Sequence, residues 1–218
     1  MRDSKITLDD TRERDRLARA GDGRDIRNTD GDSAELGHPR SLAALPPRAR
    51  TFYREHMPTP TGTVARISPT EVELAISRVI AAEVDDVWAS VTESDRTAAW
   101  IGPWSGEARP GATIQLTMVL EEGGPVVDVR IDACDEPYHV AFTMDSFALE
   151  LRLFPLDSGT ELILTHTLDD PALASAYGPG WEYYLDALVA SREGTPLPRF
   201  EDYDPSMTPY YAALAAGL

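Results

Sequence analysis

Few side chains in this sequence could carry out chemistry, and most of those are spaced against it. The four histidines, His38, His56, His139 and His166, include no His-Glu-x-x-His pair and have no paired cysteines beside them. Zinc needs such spacing, so no metal and no cofactor is expected. The single cysteine, Cys134, excludes an intramolecular disulfide. It is followed by Asp135 and Glu136, whose charges raise a thiol's pKa and disfavour a nucleophilic role. The one lysine is Lys5, far from any patterned segment, which removes a Schiff base. There is no Gly-x-Ser-x-Gly elbow and no glycine loop ending in Lys-Ser/Thr. His166 is different. It falls in phase with Leu162, Leu164 and Leu168 on an apolar strand face. A histidine there is either a satisfied core residue or a pocket group, orienting a ligand or acting as general acid and base.

The elements that must position His166 follow from periodicity. Val72, Leu74 and Ile76 alternate with other residues in a strand running to Ile80. Val84, Val87, Trp88 and Val91 recur at helical spacing, and Ser94 is expected to cap a second short helix reaching Trp100. Arg109-Pro110-Gly111 is a turn. Period-two runs follow: Ile114, Leu116, Met118 and Leu120; Val127, Val129 and Ile131; Val140, Phe142 and Met144; Phe147, Leu149, Leu151 and Leu153. Asp157-Ser158-Gly159 predicts a hairpin with Gly159 in an αL bulge. Such alternation covers one face of an antiparallel sheet. Pro179-Gly180 is expected to precede a closing helix, with Trp181, Tyr184, Leu185, Leu188 and Val189 as its apolar stripe and Gly194 as its C-terminal cap.

Three regions result. Residues 1–56 carry 12 basic and 11 acidic side chains with few apolar anchors, and are expected to be a disordered extension or a misassigned start, Met57 being the alternative first residue. The domain spans 57–194, and a proline- and aromatic-rich tail, 195–218, lies on that domain or against a second subunit. Residues 57–218 hold 8 basic and 26 acidic side chains of a chain whose net charge is −17. Such an acidic surface repels phosphate backbones, so no nucleic-acid partner is expected. No apolar run is long enough to span a bilayer, and the N-terminus lacks a signal core, so the expected location is cytoplasmic.

The order strand, small helices, meander and closing helix resembles the START-like (SRPBCC, Bet v-like) superfamily. Within it, the branch homologous to activators of the Hsp-90 ATPase is most similar. The resemblance rests on Val84-Asp85-Asp86-Val87-Trp88-Ala89-Ser90-Val91-Thr92, on Trp100-Ile101-Gly102, on Gly159-Thr160-Glu161-Leu162-Ile163-Leu164-Thr165-His166, and on Gly180-Trp181 with Leu185 and Leu188. It covers about residues 62–195. It implies an α+β helix-grip fold, a curved antiparallel sheet wrapped around a long C-terminal helix, in a family that mixes carriers, cyclases, dehydratases and chaperone partners.

The leading expectation is a pocket between sheet and helix that holds a mainly apolar small molecule. Its expected lining is Trp100, Trp104, Met118, Phe142, Met144, Leu149, His166, Trp181 and Tyr184, with methionines adapting the shape and His166 and Tyr184 orienting the ligand. No catalytic residue is assigned. The alternatives are a cyclase- or dehydratase-type enzyme using His166 with a tyrosine or carboxylate, and a chaperone-interaction module. A homodimer is a further partner to be tested.

Overall fold

The computed structural model describes residues 57–218. The expectations placed on residues 1–56 lie outside the described residues.

Eight strands form one sheet: β1 (Thr63–Arg66), β2 (Val72–Ile80), β3 (Trp104–Gly106), β4 (Thr113–Thr117), β5 (Val126–Asp135), β6 (His139–Met144), β7 (Phe147–Leu156) and β8 (Gly159–Leu168). Their order is β1-β2-β8-β7-β6-β5-β4-β3, with antiparallel pairing throughout. Helices α1 (Val84–Thr92) and α2 (Ser94–Thr97) interrupt the chain between β2 and β3. After β8 come α3 (Ala174–Glu193) and, in the tail, α4 (Thr208–Ala216). This is the α+β helix-grip architecture.

Alternation explains the layers. On β8 every second residue from Thr160 to Leu168 is buried, and Val72, Leu74 and Ile76 do the same on β2. The two strands pair from Val72 opposite Leu168 to Ile80 opposite Thr160, so their apolar faces coincide. A register shift between Ile131 and Ala133 breaks the β5–β6 ladder. Such an extra residue bends a strand, which suits a sheet that must curve around a helix.

The structure corrects four local expectations. Helix α3 begins at Ala174, with Pro179 inside it and not before it. Proline removes only the bond to the carbonyl of Ser175, a half-buried residue near the helix start. Tertiary packing favours the longer helix: a Cβ on Gly178 would lie 2.6 Å from the Tyr211 ring, so the neighbouring glycine is where the tail docks. Ser94 is the first residue of α2 and not its cap. Its hydroxyl donates to the Trp104 carbonyl (2.6 Å) and accepts from the Trp104 N–H (2.8 Å), which fastens the helical insertion to β3. Gly159 adopts φ 137°, outside the αL region, and a Cβ there would meet the Ile80 carbonyl oxygen at 2.2 Å. Finally, β1 and β3 were not anticipated, since both are too short for alternation to register.

Gly194 does cap α3 as expected, with φ 65° and its N–H on the Ala190 carbonyl. The tail packs on its own domain. Tyr203, Met207 and Tyr211 are buried in the core.

Candidate functional site: a pocket between the sheet and helix α3

The concave side of the sheet, α1, α2 and α3 enclose a pocket of about 640 Å³. Strand periodicity builds its floor: Val129 and Ile131 from β5, Phe142 and Met144 from β6, Leu149 and Leu151 from β7. Helix α3 supplies Trp181 and Tyr184, three residues apart and so on one face. Helix α1 supplies Trp88 and Val91. All four tryptophans of the chain, Trp88, Trp100, Trp104 and Trp181, line this one space.

Of the nine residues expected to line a pocket, the structure brings seven together: Trp100, Trp104, Phe142, Met144, Leu149, Trp181 and Tyr184. Met118 and His166 are not on its wall. Met118 follows the end of β4, where its N–H turns away to the Pro125 carbonyl, and its side chain is buried in the core. His166 shares the buried face of β8 with Leu164, which does line the pocket, but sits one step further along the strand. There its ring is enclosed by Phe147, Tyr177 and Trp181, with centroids 5.0, 5.0 and 5.9 Å away. Trp181 Nε1 donates to His166 Nδ1 at 3.1 Å. That bond fixes Nδ1 as the unprotonated nitrogen. Burial pushes the His166 pKa from 6.5 down to about 4. The ring is thus a neutral acceptor that orients Trp181.

Most aromatic donors of the pocket wall are occupied by the protein itself. Trp100 Nε1 donates to the Ser90 carbonyl (3.0 Å) and Trp104 Nε1 to the Thr92 carbonyl (3.1 Å). The Tyr184 hydroxyl donates to Glu121 at 2.5 Å, and burial, then the Glu121 charge, raise its pKa. With Trp181 engaged by His166, three of the four indoles on the wall offer ring faces and edges instead of free donors.

The residues that sequence reasoning missed are of two kinds. Trp88 and Val91 registered only as residues at helical spacing, and Val129 and Ile131 only as the apolar phase of a strand, and nothing in a periodic pattern separates a wall from a solid core. The exposed members of the lining, Glu93, Asp95, Ala108, Cys134 and Glu136, mark the mouth. They come from the α1–α2 junction, the β3–β4 loop and the end of β5, segments joined only by folding.

A smaller hollow of about 340 Å³ lies on another side of Trp100, beside Asp86, Ser90, Arg96 and Arg192. Asp86 bonds Arg192 (2.6 Å) and Arg96 (2.5 Å), which hold its carboxyl below the usual range. Arg192 also donates to the Ser90 hydroxyl. Among the described residues no group of three or more His, Cys, Asp or Glu is placed to hold a metal, and no described helix is long and apolar enough to cross a membrane.

A search of curated protein sequences gave no match. Among solved structures, CalU16 from Micromonospora echinospora is similar at 25% identity over 72% of this chain and 97% of its own, with a TM-score of 0.58. DynU16, a protein of the dynemicin biosynthetic locus, is similar in fold at 20% identity, over 59% of this chain and 50% of its own, with a TM-score of 0.52. An AHSA1-like protein from Aeromonas hydrophila shares the fold at 16% identity, over 56% of this chain and 92% of its own, with a TM-score of 0.50. Residues 81–192 match the family model described as Activator of Hsp90 ATPase homolog 1-like protein, a span that runs from the start of the helical insertion to the end of α3 and takes in the whole pocket floor. By that match the chain belongs to the Activator of Hsp90 ATPase homolog 1-like family.

Proposed function

We propose that this protein binds a mainly apolar small molecule in the pocket between its sheet and α3. The observation that carries this reading is the state of the wall: a space of about 640 Å³, apolar in most of its lining, where three of the four indole donors and the Tyr184 phenol are already satisfied by the protein. A volume of that size is in the range of small-molecule sites. Filling it with a hydrocarbon surface does not strip a partner from the Trp100, Trp104, Trp181 or Tyr184 donors.

Carriage is favoured over acid–base catalysis by the place of His166. The ring lies off the wall and spends its acceptor nitrogen on Trp181. A proton relay would need it facing the ligand with a second titratable group beside it. The chaperone association in the family's name concerns an outer surface, and the present reading puts function inside the fold.

The test is native mass spectrometry of the purified protein for a co-purified molecule, together with titration by phenylnaphthylamine, a neutral apolar fluorophore. Saturable fluorescence enhancement with quenching of the four tryptophans is expected. Val129→Phe, which adds bulk to the floor, should weaken both while the fold is retained, at a stability loss of about 1–3 kcal/mol. A wild-type protein that binds no fluorophore and carries no ligand would overturn the reading.

A further inference from the structure

We propose that the pocket selects a ligand whose apolar body carries a protonated amine or other cationic head, seated at the mouth. This rests on the pocket reading above and specifies the ligand class.

The interior and the mouth make opposite demands. Inside, the wall is hydrocarbon and aromatic, so it discriminates only by size and shape. Every charged residue on the wall stands at the mouth, and all three are acidic: Glu93, Asp95 and Glu136. No arginine, lysine or histidine lines the space.

Cations carried by the segments that form the mouth are already engaged. Arg96 binds Asp86 at 2.5 Å and Glu93 at 3.5 Å, which leaves Glu93 partly neutralised. Arg109, next to Ala108, pairs with Glu107 at 3.0 Å. On the β5–β6 side, His139 and Arg152 both meet Glu150, at 3.0 and 2.6 Å. Asp95 and Glu136 make no ion pair among the described residues. One lies at the start of α2 and one just beyond β5.

Two further features fit a cation. Trp104, half-buried, lies where the interior gives way to this rim, and an indole face attracts positive charge. The Cys134 thiol on the same rim has its pKa raised by burial and then by Glu136 and Asp135, an internal sign of the local negative field. A carboxylate or phosphate head would have to rest against that field with no free cation to meet it.

The experiment is displacement of phenylnaphthylamine by three ligands of equal chain length: decylamine, decanol and decanoate. The amine is expected to bind best and the carboxylate worst, with a ratio of about tenfold between them at low salt, as exposed charges of this kind give. Asp95→Asn with Glu136→Gln should bring the ratio close to one and leave decanol unchanged. Raising the salt from about 20 mM to about 500 mM should compress the ratio in the wild type alone. If decanol binds and decanoate matches or exceeds decylamine, this inference is wrong and the pocket reading stands. It is equally wrong if the amine preference survives the double substitution. If the fluorophore and all three ligands fail to bind, both readings fall together.

Discussion

Helix α3 has two faces that solve the problem of burial in opposite ways. The inner face turns Trp181 and Tyr184 toward the pocket, where apolar surface adjoins open space. The outer face carries Glu182, a carboxylate with no exposed surface. It accepts hydrogen bonds from the Thr61 N–H (2.5 Å), the Gly62 N–H (3.0 Å), the Tyr211 hydroxyl (2.5 Å) and Arg78 (2.6 Å). Burial alone would raise the Glu182 pKa, yet the bonds from Tyr211, Arg78 and Thr61 outweigh that and hold it low. Arg78 also reaches Asp186 one turn on, and Asp186 accepts from the Tyr203 hydroxyl. The tail, β2 and the chain before β1 are thereby tied to one face of one helix. A face whose buried carboxylate is partnered on every side holds α3 in place. The opposite face can then afford a hollow, because the helix position does not depend on filling it.

That contrast can be broken most severely at Glu182. Glu182→Ala should destabilise by about 3–5 kcal/mol in chemical denaturation, since it leaves Arg78 with Asp186 alone and strips the Thr61 and Gly62 N–H groups and the Tyr211 hydroxyl of their shared acceptor. Adding Arg78→Met should recover only part of the loss, because the other donors to Glu182 stay unpaired. A single variant that loses under 1 kcal/mol would mean that the network does not hold the helix.

Trp181→Ala acts on the other face. A loss of about 3 kcal/mol is expected, at the low end for an emptied aromatic site because Trp181 already borders open space on one side. Its sharper effect falls on binding: phenylnaphthylamine affinity should drop far more than in Glu182→Ala variants that remain folded. Equal effects on binding would erase the distinction between the two faces.

His166 sharpens the comparison through pH. Its folded pKa, about 4, lies below the unfolded value of 6.5, so between these values the unfolded state binds more protons. Stability is therefore present in full above pH 6.5 and is lost as pH falls toward 4, by up to about 3 kcal/mol. Asp86 and Glu182, held below the ordinary carboxylate range, begin to lose their contribution only as pH falls through the ordinary carboxylate values, at the acid end of this window. His166→Leu leaves the buried Trp181 indole N–H without an acceptor and should lose about 1–3 kcal/mol at pH 7. The same variant should flatten the slope of stability between pH 6.5 and 4, measured by urea denaturation. A slope that persists would place the titration elsewhere.

The smallest effect is expected at Tyr211→Phe, which removes one hydroxyl bonded to Glu182 but keeps the ring against Gly178. A loss of about 1.5 kcal/mol with unchanged ligand affinity is the expected result. A change in affinity would show that the tail tunes the pocket through the helix.

Much of the architecture was legible before folding. Alternation on β2 and β5 to β8 marked the strands and their buried phase, the spacing of Val84, Val87, Trp88 and Val91 marked α1, and Gly194 marked the end of α3. These signals survive in sequence because each depends on neighbours two to four residues away. Seven of nine expected wall residues meet around one space for a related reason: they were picked from apolar faces that the fold superposes. His166 shows the limit. Its phase on β8 was right, but periodicity says which face a residue takes and not how far along the strand the cavity extends.

The rest belonged to tertiary structure. Pro179 ends a helix by local rules and lies within one here, because Tyr211 packs on Gly178 beside it and adds contacts that propensity does not include. Ser94 has the chemistry of a cap, and its hydroxyl is taken by Trp104 ten residues on. The Glu182 network joins positions more than a hundred residues apart, and the acidic mouth assembles Glu93, Asp95 and Glu136 from separate segments. The sequence by itself determined strand phase, helix stripes and the excess of acid over base, since these need only short-range order and composition. Which charges become buried partners, which line an opening, and where packing stops short of a solid core are decided when distant segments meet, because burial and charge pairing are properties of three-dimensional neighbours.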